Sequence, residues 1–396
     1  MADSFQSTID WLVNGARSAP QVDLFMAESC ERLVACGVPL YRVGVFVRTL
    51  HPSMLGRNFI WRPGEGVKIG AMAHGDEVGE EFLLSPLYRV FYQGEEVRQR
   101  MTNGAASNAP FFADMVAEGA TDYIALPLLM SDGTVHASSW VTRAAGGFTD
   151  GQIEGMRSVM PSMTRMIEIF LLRRTAAGLL DNYVGARAGS RILAGQIRRG
   201  HTETMNAAIW LSDLRGFTKL SDRLSSETVV QILNAYFDCQ VPAILKHGGE
   251  VLKFMGDGLL AVFPIAEDAS DGAEVCKRVF DAAQECRASI AELSHDTGTE
   301  TIDGFRFGLA LHVGRVLYGN IGGGDRLDFT CIGPAVNLAA RIEKIAGQLG
   351  RSVVASSLFK RYGDEQWTDL GEFAVAGFSA PERIYGLPDE TSSAQH

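Results

Sequence analysis

GGEVLKFMGDGLLAVF, Gly248 to Phe263, reads as two short strands, Glu250–Met255 and Leu259–Phe263, folded about the turn Gly256-Asp257-Gly258. Asp-Gly is a preferred hairpin dipeptide, so the turn carries the Asp257 carboxylate at its tip. Upstream, Ala207–Leu211 reads as a buried strand, and Asp213 follows it where a helix is about to begin. Arg215-Gly216-Phe217-Thr218 forms the turn into that helix, and free backbone N–H groups there can hold a phosphate. Taken singly, Asp213 reads as a helix cap and Asp257 as turn chemistry. Together, a strand-end and a hairpin-tip carboxylate can share a pair of Mg²⁺ ions, which take few protein ligands and leave places for water and phosphate.

Around these two segments the pattern alternates. A long helix-compatible stretch runs to Ala243 and another helix to about Leu293. Phe305–Val313 alternates as a strand, the Gly-rich GNIGGG and the strand-like LDFTCI follow, and a helix spans Pro334 to Leu349. This order predicts an α+β sandwich whose one sheet is covered by helices on one face. Asn337 and Arg341, four apart in VNLAARIE, share one face of the last helix.

Towards the N-terminus, Tyr123–Met130 and Val135–Thr142 are strands joined by the hairpin signal Ser131-Asp132-Gly133-Thr134. A helix capped by Thr149 or Asp150 follows, with an apolar stripe at Ile153, Met156, Met160, Met163, Ile167 and Phe170 that Pro161 interrupts. The stripe suits either pairing between subunits or burial in its own domain. Arg173–Gly200 turns basic and Gly-punctuated, the mark of a connector. His51, His74 and His136 are candidates for a haem or metal site but share no spacing, and read equally as surface or core histidines. Trp61 and Trp140 could line a pocket or fill a core.

A chain of 396 residues, 46% of them hydrophobic, can bury two cores. Its net charge of −11 gives no general attraction to nucleic acid or anionic membrane, so neither is an expected partner. No apolar run approaches the roughly 20 residues that cross a bilayer, and the acidic N-terminus does not resemble a secretory signal, which points to the cytoplasm. The six cysteines show no CxxC spacing and read as buried free thiols.

WLSDLRGFT, GGEVLKFMGDGLLAVF and DFTCIGPAVNLAARIE, in this order, resemble the three signature regions of class III adenylate cyclases. The resemblance covers Ala207 to about Leu387 and implies a ferredoxin-like α+β domain that works as a head-to-tail homodimer with active sites at the subunit interface. Residue by residue, it makes Asp213 and Asp257 the ligands of two Mg²⁺ or Mn²⁺ ions per site. By the same resemblance Asn337 would orient the ribose and Arg341 would stabilise charge on the phosphoryl oxygens, while Lys253 and Thr330 would select the purine and Phe217 and Thr218 would lie in the substrate-binding turn. The implied reaction turns ATP into 3′,5′-cyclic AMP and pyrophosphate.

Thr330, where many relatives have Asp, is similar to the subclass called IIIb. Ala376 stands where many relatives carry the Lys or Arg that grips the triphosphate, which keeps open a catalytically weak or silent nucleotide-binding regulator. Guanylate cyclase activity is the third reading. Thr121–Phe170 resembles the end of a GAF domain and implies signal transduction from a small-molecule ligand. The expected organisation is a GAF-like sensory domain at 1–150, a helical linker at 151–200, the cyclase domain at 201–387 and a polar tail at 388–396.

Overall fold

The computed structural model describes residues 4–51, 54–73, 80–101, 110–296, 301–324, 326–363, 367–388 and 390. They form two units, Met1–Leu179 and Leu180–His396, each with its own hydrophobic clusters. No helix among the described residues is long and apolar enough to cross a membrane.

In the first unit, helices α1 (Phe5–Val13) and α2 (Val22–Ala35) precede strands β1 (Arg42–His51), β2 (Met54–Arg62) and β3 (Gly66–Met72). Helices α3 (Glu80–Leu83) and α4 (Pro86–Gln93), strand β4 (Val97–Arg100) and helix α5 (Pro110–Ala117) lead to strands β5 (Asp122–Leu129) and β6 (Val135–Thr142) and to the long helix α6 (Asp150–Val184). The sheet is antiparallel throughout, in the order β3-β2-β1-β6-β5-β4. The β5–β6 turn closes as its sequence dictates: Asp132 Oδ1 accepts from the Thr134 N–H at 2.9 Å, and Gly133 takes φ +85°.

Helix α6 starts with a reciprocal cap, in which Thr149 Oγ1 accepts from the Gln152 N–H and Gln152 Oε1 accepts from the Thr149 N–H. Ile153, Met156, Met160, Met163 and Ile167 are buried in the core of the first unit, with Phe170 packed at its margin. The stripe therefore serves its own unit, and the helix runs on through Pro161 without a break. The first unit accordingly takes in most of α6, which had read as linker. Trp61 and Trp140 are core residues. His136 is buried, with Nδ1 accepting from the Arg48 N–H at 3.3 Å, and burial pulls its pKa down to about 4. It is a neutral core histidine. His74 and the side chain of His51 lie outside the described residues, as does most of the polar tail.

The second unit continues with α7 (Ala186–Leu193), β7 (Thr202–Leu214), α8 (Phe217–Arg223), α9 (Ser226–Asp238), α10 (Val241–Lys246), β8 (Glu250–Met255), β9 (Gly258–Ile265) and α11 (Gly272–Glu292). A two-residue ladder, β10 (His295–Asp296) with β11 (Thr301–Ile302), precedes β12 (Phe307–Gly323), β13 (Arg326–Ile332) and α12 (Pro334–Gln348). The chain closes with β14 (Val353–Ser356), α13 (Ser357–Tyr362), β15 (Thr368–Phe373) and β16 (Glu382–Gly386). The main sheet runs β15-β16-β14-β12-β7-β9-β8, with β13 paired to the far part of β12.

Four readings change here. Helices cover both faces of this sheet, because the central strands are apolar on both sides. Ala208, Trp210 and Leu214 of β7 pack with α11, while Ala207, Ile209 and Leu211 pack with α7 and α12. The stretch to Ala243 is three helices: Leu224 is extended, the Ser225 hydroxyl caps α9, and Pro242 starts α10. Gly319–Gly323 of GNIGGG form the end of β12 and pair with β13, and a Cβ at Gly319 or Gly322 would meet a backbone oxygen at 2.2 Å. Cys36 and Cys239 are only half-buried, while Cys30, Cys276, Cys286 and Cys331 are buried; all six are free.

The basic connector also has a partner. Its helix α7 buries Ala188, and Arg191 pairs with Glu203 of β7 at 2.5 Å. Buried Glu250 at the start of β8 lies 2.9 Å from the donating Tyr318 hydroxyl.

Candidate active site

Register explains how residues 44 apart in sequence (257 − 213) meet. β7 and β9 are antiparallel with Ser212 opposite Leu259, so the end of β7 runs past the β8–β9 turn. Gly258 permits the approach: a Cβ there would stand 3.2 Å from the Ser212 carbonyl oxygen and 3.6 Å from Asp213 Oδ1. Gly256, at φ +68°, makes the turn itself. As a result the carboxyls of Asp213 and Asp257, both half-buried, stand close enough to influence each other.

Burial raises the Asp213 pKa to about 7, reinforced by the hydrogen bond and charge of Asp257. Oxygen donors in excess of positive charge fit a hard divalent cation, and Mg²⁺ usually takes only one or two protein carboxylates. Among the described residues no group of three or more His, Cys, Asp or Glu side chains gathers as a metal cluster. The fit therefore rests on this pair plus ligands that a substrate would bring.

The strand end beneath Asp213 is pinned from inside. The Ser212 hydroxyl donates to Gln240 Oε1 at 2.6 Å, and the Trp210 indole donates to the same oxygen at 3.4 Å. On the other side, Arg215 reaches α12 and pairs with Glu343 at 2.5 Å, also donating to the Glu343 carbonyl at 3.1 Å. Burial raises the Glu343 pKa and Arg215 opposes it. Gly308 and Gly347 leave the space this guanidinium occupies, since a Cβ at either would overlap it. Arg215 thus ties the turn after Asp213 to the helix that carries Asn337 and Arg341.

Phe217 and Thr218 open α8, with Gly216 at φ +78° before them. Phe217 packs at the edge of the core and Thr218 is exposed. The first amides of that helix have no helical partner.

Lys253 projects from β8 and is ion-paired with Asp328 of β13. Asp328 lies two residues before Thr330, so both fall on one face of β13; Thr330 is buried and Asp328 half-exposed. Asp328, Arg215 and Glu343 carry no role that the sequence alone marks. Only opposite charge in neighbouring motifs could have suggested either pair. Asn337 and Arg341 lie exposed on α12, and their side chains make no hydrogen bond or ion pair among the described residues. Ala376 is exposed in the turn that Gly377 closes at φ +88°.

Residues 200–385 match the family model described as adenylate and guanylate cyclase catalytic domain. An adenylate cyclase of Anabaena cylindrica is 31% identical over 160 residues, covering 40% of this chain and 31% of the relative. Adenylate cyclase 1 of Rhizobium meliloti is 31% identical over 147 residues, covering 37% of this chain and 21% of the relative. Each match thus spans less than a third of the curated relative. Among solved structures, a bacterial light-regulated adenylyl cyclase aligns at TM-score 0.44 and 24% identity over 61% of this chain and 66% of that one. The adenylyl cyclase CyaB from P. aeruginosa aligns at TM-score 0.39 and 26% identity over 49% of this chain and all of that one.

Proposed function

We propose that the protein is a class III adenylate cyclase forming 3′,5′-cyclic AMP and pyrophosphate from ATP, a reading supported by the match of residues 200–385 to the adenylate and guanylate cyclase catalytic domain. The observation that carries this reading is the Asp213–Asp257 pair, set at the junction of a strand end and a hairpin tip. In the reaction the ribose 3′-oxygen bonds to the α-phosphorus, the bond from that phosphorus to the bridging oxygen of pyrophosphate breaks, and the 3′-hydroxyl proton leaves to solvent. Two Mg²⁺ or Mn²⁺ ions held by Asp213 and Asp257 would supply a lowered hydroxyl pKa and neutralise the triphosphate.

The protein groups position and select. Amides at the start of α8, around Phe217 and Thr218, suit a phosphate oxygen. Lys253 and Thr330 read the adenine edge, the ammonium and hydroxyl donating where a purine ring nitrogen accepts. Asn337 orients the ribose, and Arg341 meets charge building on the phosphoryl oxygens, a role worth several kcal/mol of barrier, roughly 3–4 in known cases. Because the Asn337 and Arg341 side chains have no hydrogen-bond or ion-pair partner among the described residues, we assign them to the site of a second copy, in a homodimer with two equivalent sites. The ferredoxin-like catalytic fold belongs to the same reading. So does a GAF-like sensory role for the N-terminal unit, which rests on its hairpin and capped helix.

The test is nucleotide turnover by purified protein with Mg²⁺ or Mn²⁺, offered ATP and GTP in competition. Cyclic AMP as the main product is expected; cyclic GMP as the main product would overturn the ATP assignment. Ala376, exposed and uncharged, favours one other reading, a nucleotide-binding regulator without turnover. ATP binding with no product under either metal would select it.

A further inference from the structure

Within the first unit, a cavity of about 340 Å³ opens between the start of α2, β1, β2 and the second half of α6. Val47 and Phe59 from the sheet and Ile167 from α6 give it an apolar wall, and all three are buried. Its polar groups are either cationic or uncommitted. Thr49 Oγ1 is buried and has no hydrogen-bond partner among the described residues. Arg57 comes from β2, and Arg174 from α6 about two turns beyond Ile167.

Neither guanidinium has an ion-pair or hydrogen-bond partner among the described residues. They stand close enough for Arg174 to add to the effect of burial in lowering the Arg57 pKa. Arg57 is partly exposed and Arg174 exposed, so both guanidiniums stand at the open side of the apolar hollow, beside the unsatisfied buried Thr49 hydroxyl, where an anionic head group with an apolar tail would meet all three. Arginine forks match the two oxygens of a carboxylate. A bare inorganic anion would leave the apolar wall unfilled, and a neutral lipid would leave the arginines unpaired. The volume is at the lower end for ligand pockets, roughly 300–1,000 Å³, which suits one extended chain.

We propose that this cavity binds an aliphatic monocarboxylate, with its carboxylate between Arg57 and Arg174, the Thr49 hydroxyl donating to it, and its chain along Val47, Phe59 and Ile167. The site lies wholly in the first unit and stands independently of the catalytic reading.

Titration calorimetry on the full chain, with decanoate below its micellar concentration, tests this against 1-decanol and inorganic phosphate as probes. Saturable binding of one decanoate per chain is expected, with both control probes at least about tenfold weaker, and with Arg57→Gln weakening decanoate by about tenfold or more. Ile167→Trp fills the hollow without touching charge and should abolish binding, with circular dichroism and thermal melting reporting the fold of each variant. Should Arg57→Gln not fold, Thr49→Val, which removes only the hydroxyl, should still weaken decanoate several-fold. No decanoate binding to the wild-type chain, undiminished binding to the folded variants, or 1-decanol or phosphate binding as tightly as decanoate would each overturn the proposal.

Discussion

The Asp213 carboxyl lies beside the Asp257 carboxyl where β7 runs past the β8–β9 turn, and this neighbour adds to burial in raising the Asp213 pKa to about 7. A divalent ion should therefore stabilise the folded chain. At a hundred times its Kd, Mg²⁺ adds about 2.7 kcal/mol to unfolding. Thermal melting in Mg²⁺ against EDTA should show the rise, and Asp257→Asn should lose it together with about 10²- to 10³-fold in kcat. A variant that kept both the rise and the turnover would remove this pair from the metal site.

Asn337 and Arg341 lie exposed on α12 with no hydrogen-bond or ion-pair partner among the described residues, which permits a complementation experiment. Asp257→Ala and Arg341→Ala should each be inactive alone and folded. Mixed in equal amounts and allowed to exchange subunits, half the dimers become mixed, and each mixed dimer holds one intact site of two. About a quarter of wild-type activity should return. If both variants stay silent after exchange has been verified, the shared-site arrangement fails.

Lys253 is held by Asp328, and both side chains are nearly half-exposed, so the pair adds little stability, about 0–1 kcal/mol. Its effect should be on aim. Asp328→Ala should leave the melting temperature nearly unchanged while raising KM for ATP by about tenfold and narrowing the preference over GTP. An unchanged KM and preference would leave Asp328 as a surface partner only.

His312 is buried in β12, with Nδ1 2.8 Å from the Ser356 hydroxyl. Burial lowers its pKa to about 4, and the charge of Glu382 opposes this. Because the folded value lies below the unfolded value of about 6.5, protons favour the unfolded chain. This stability is fully present above pH 6.5 and falls as pH drops towards 4, by about 3 kcal/mol in all. Urea unfolding from pH 7 to 4.5 should show a steeper acid loss in wild type than in His312→Gln. Parallel slopes for the two would count against the assignment.

Local chemistry was legible wherever a motif closes on itself. The Ser131–Thr134 turn, the Thr149 cap and the Gly256-Asp257-Gly258 hairpin each depend on residues within four positions, and each forms as read. The apolar stripe of α6 was equally visible, but periodicity alone cannot say what covers it. Packing in the first unit decided that, and it carried the helix through Pro161.

By itself, then, the sequence determined which segments pair and cap, and it marked Asp213, Asp257, Lys253, Thr330, Asn337 and Arg341 as the residues worth locating. Tertiary structure alone decided which charges face each other. The Arg215–Glu343 and Lys253–Asp328 pairs span 128 and 75 positions, and side-chain pairing at that range follows from how distant elements pack rather than from local pattern. It also put helices on both faces of the second unit's main sheet, because a strand apolar on both sides must be covered twice. For the two aspartates, the turn and the strand end were written in the chain, and the antiparallel register of β7 with β9 made them one site.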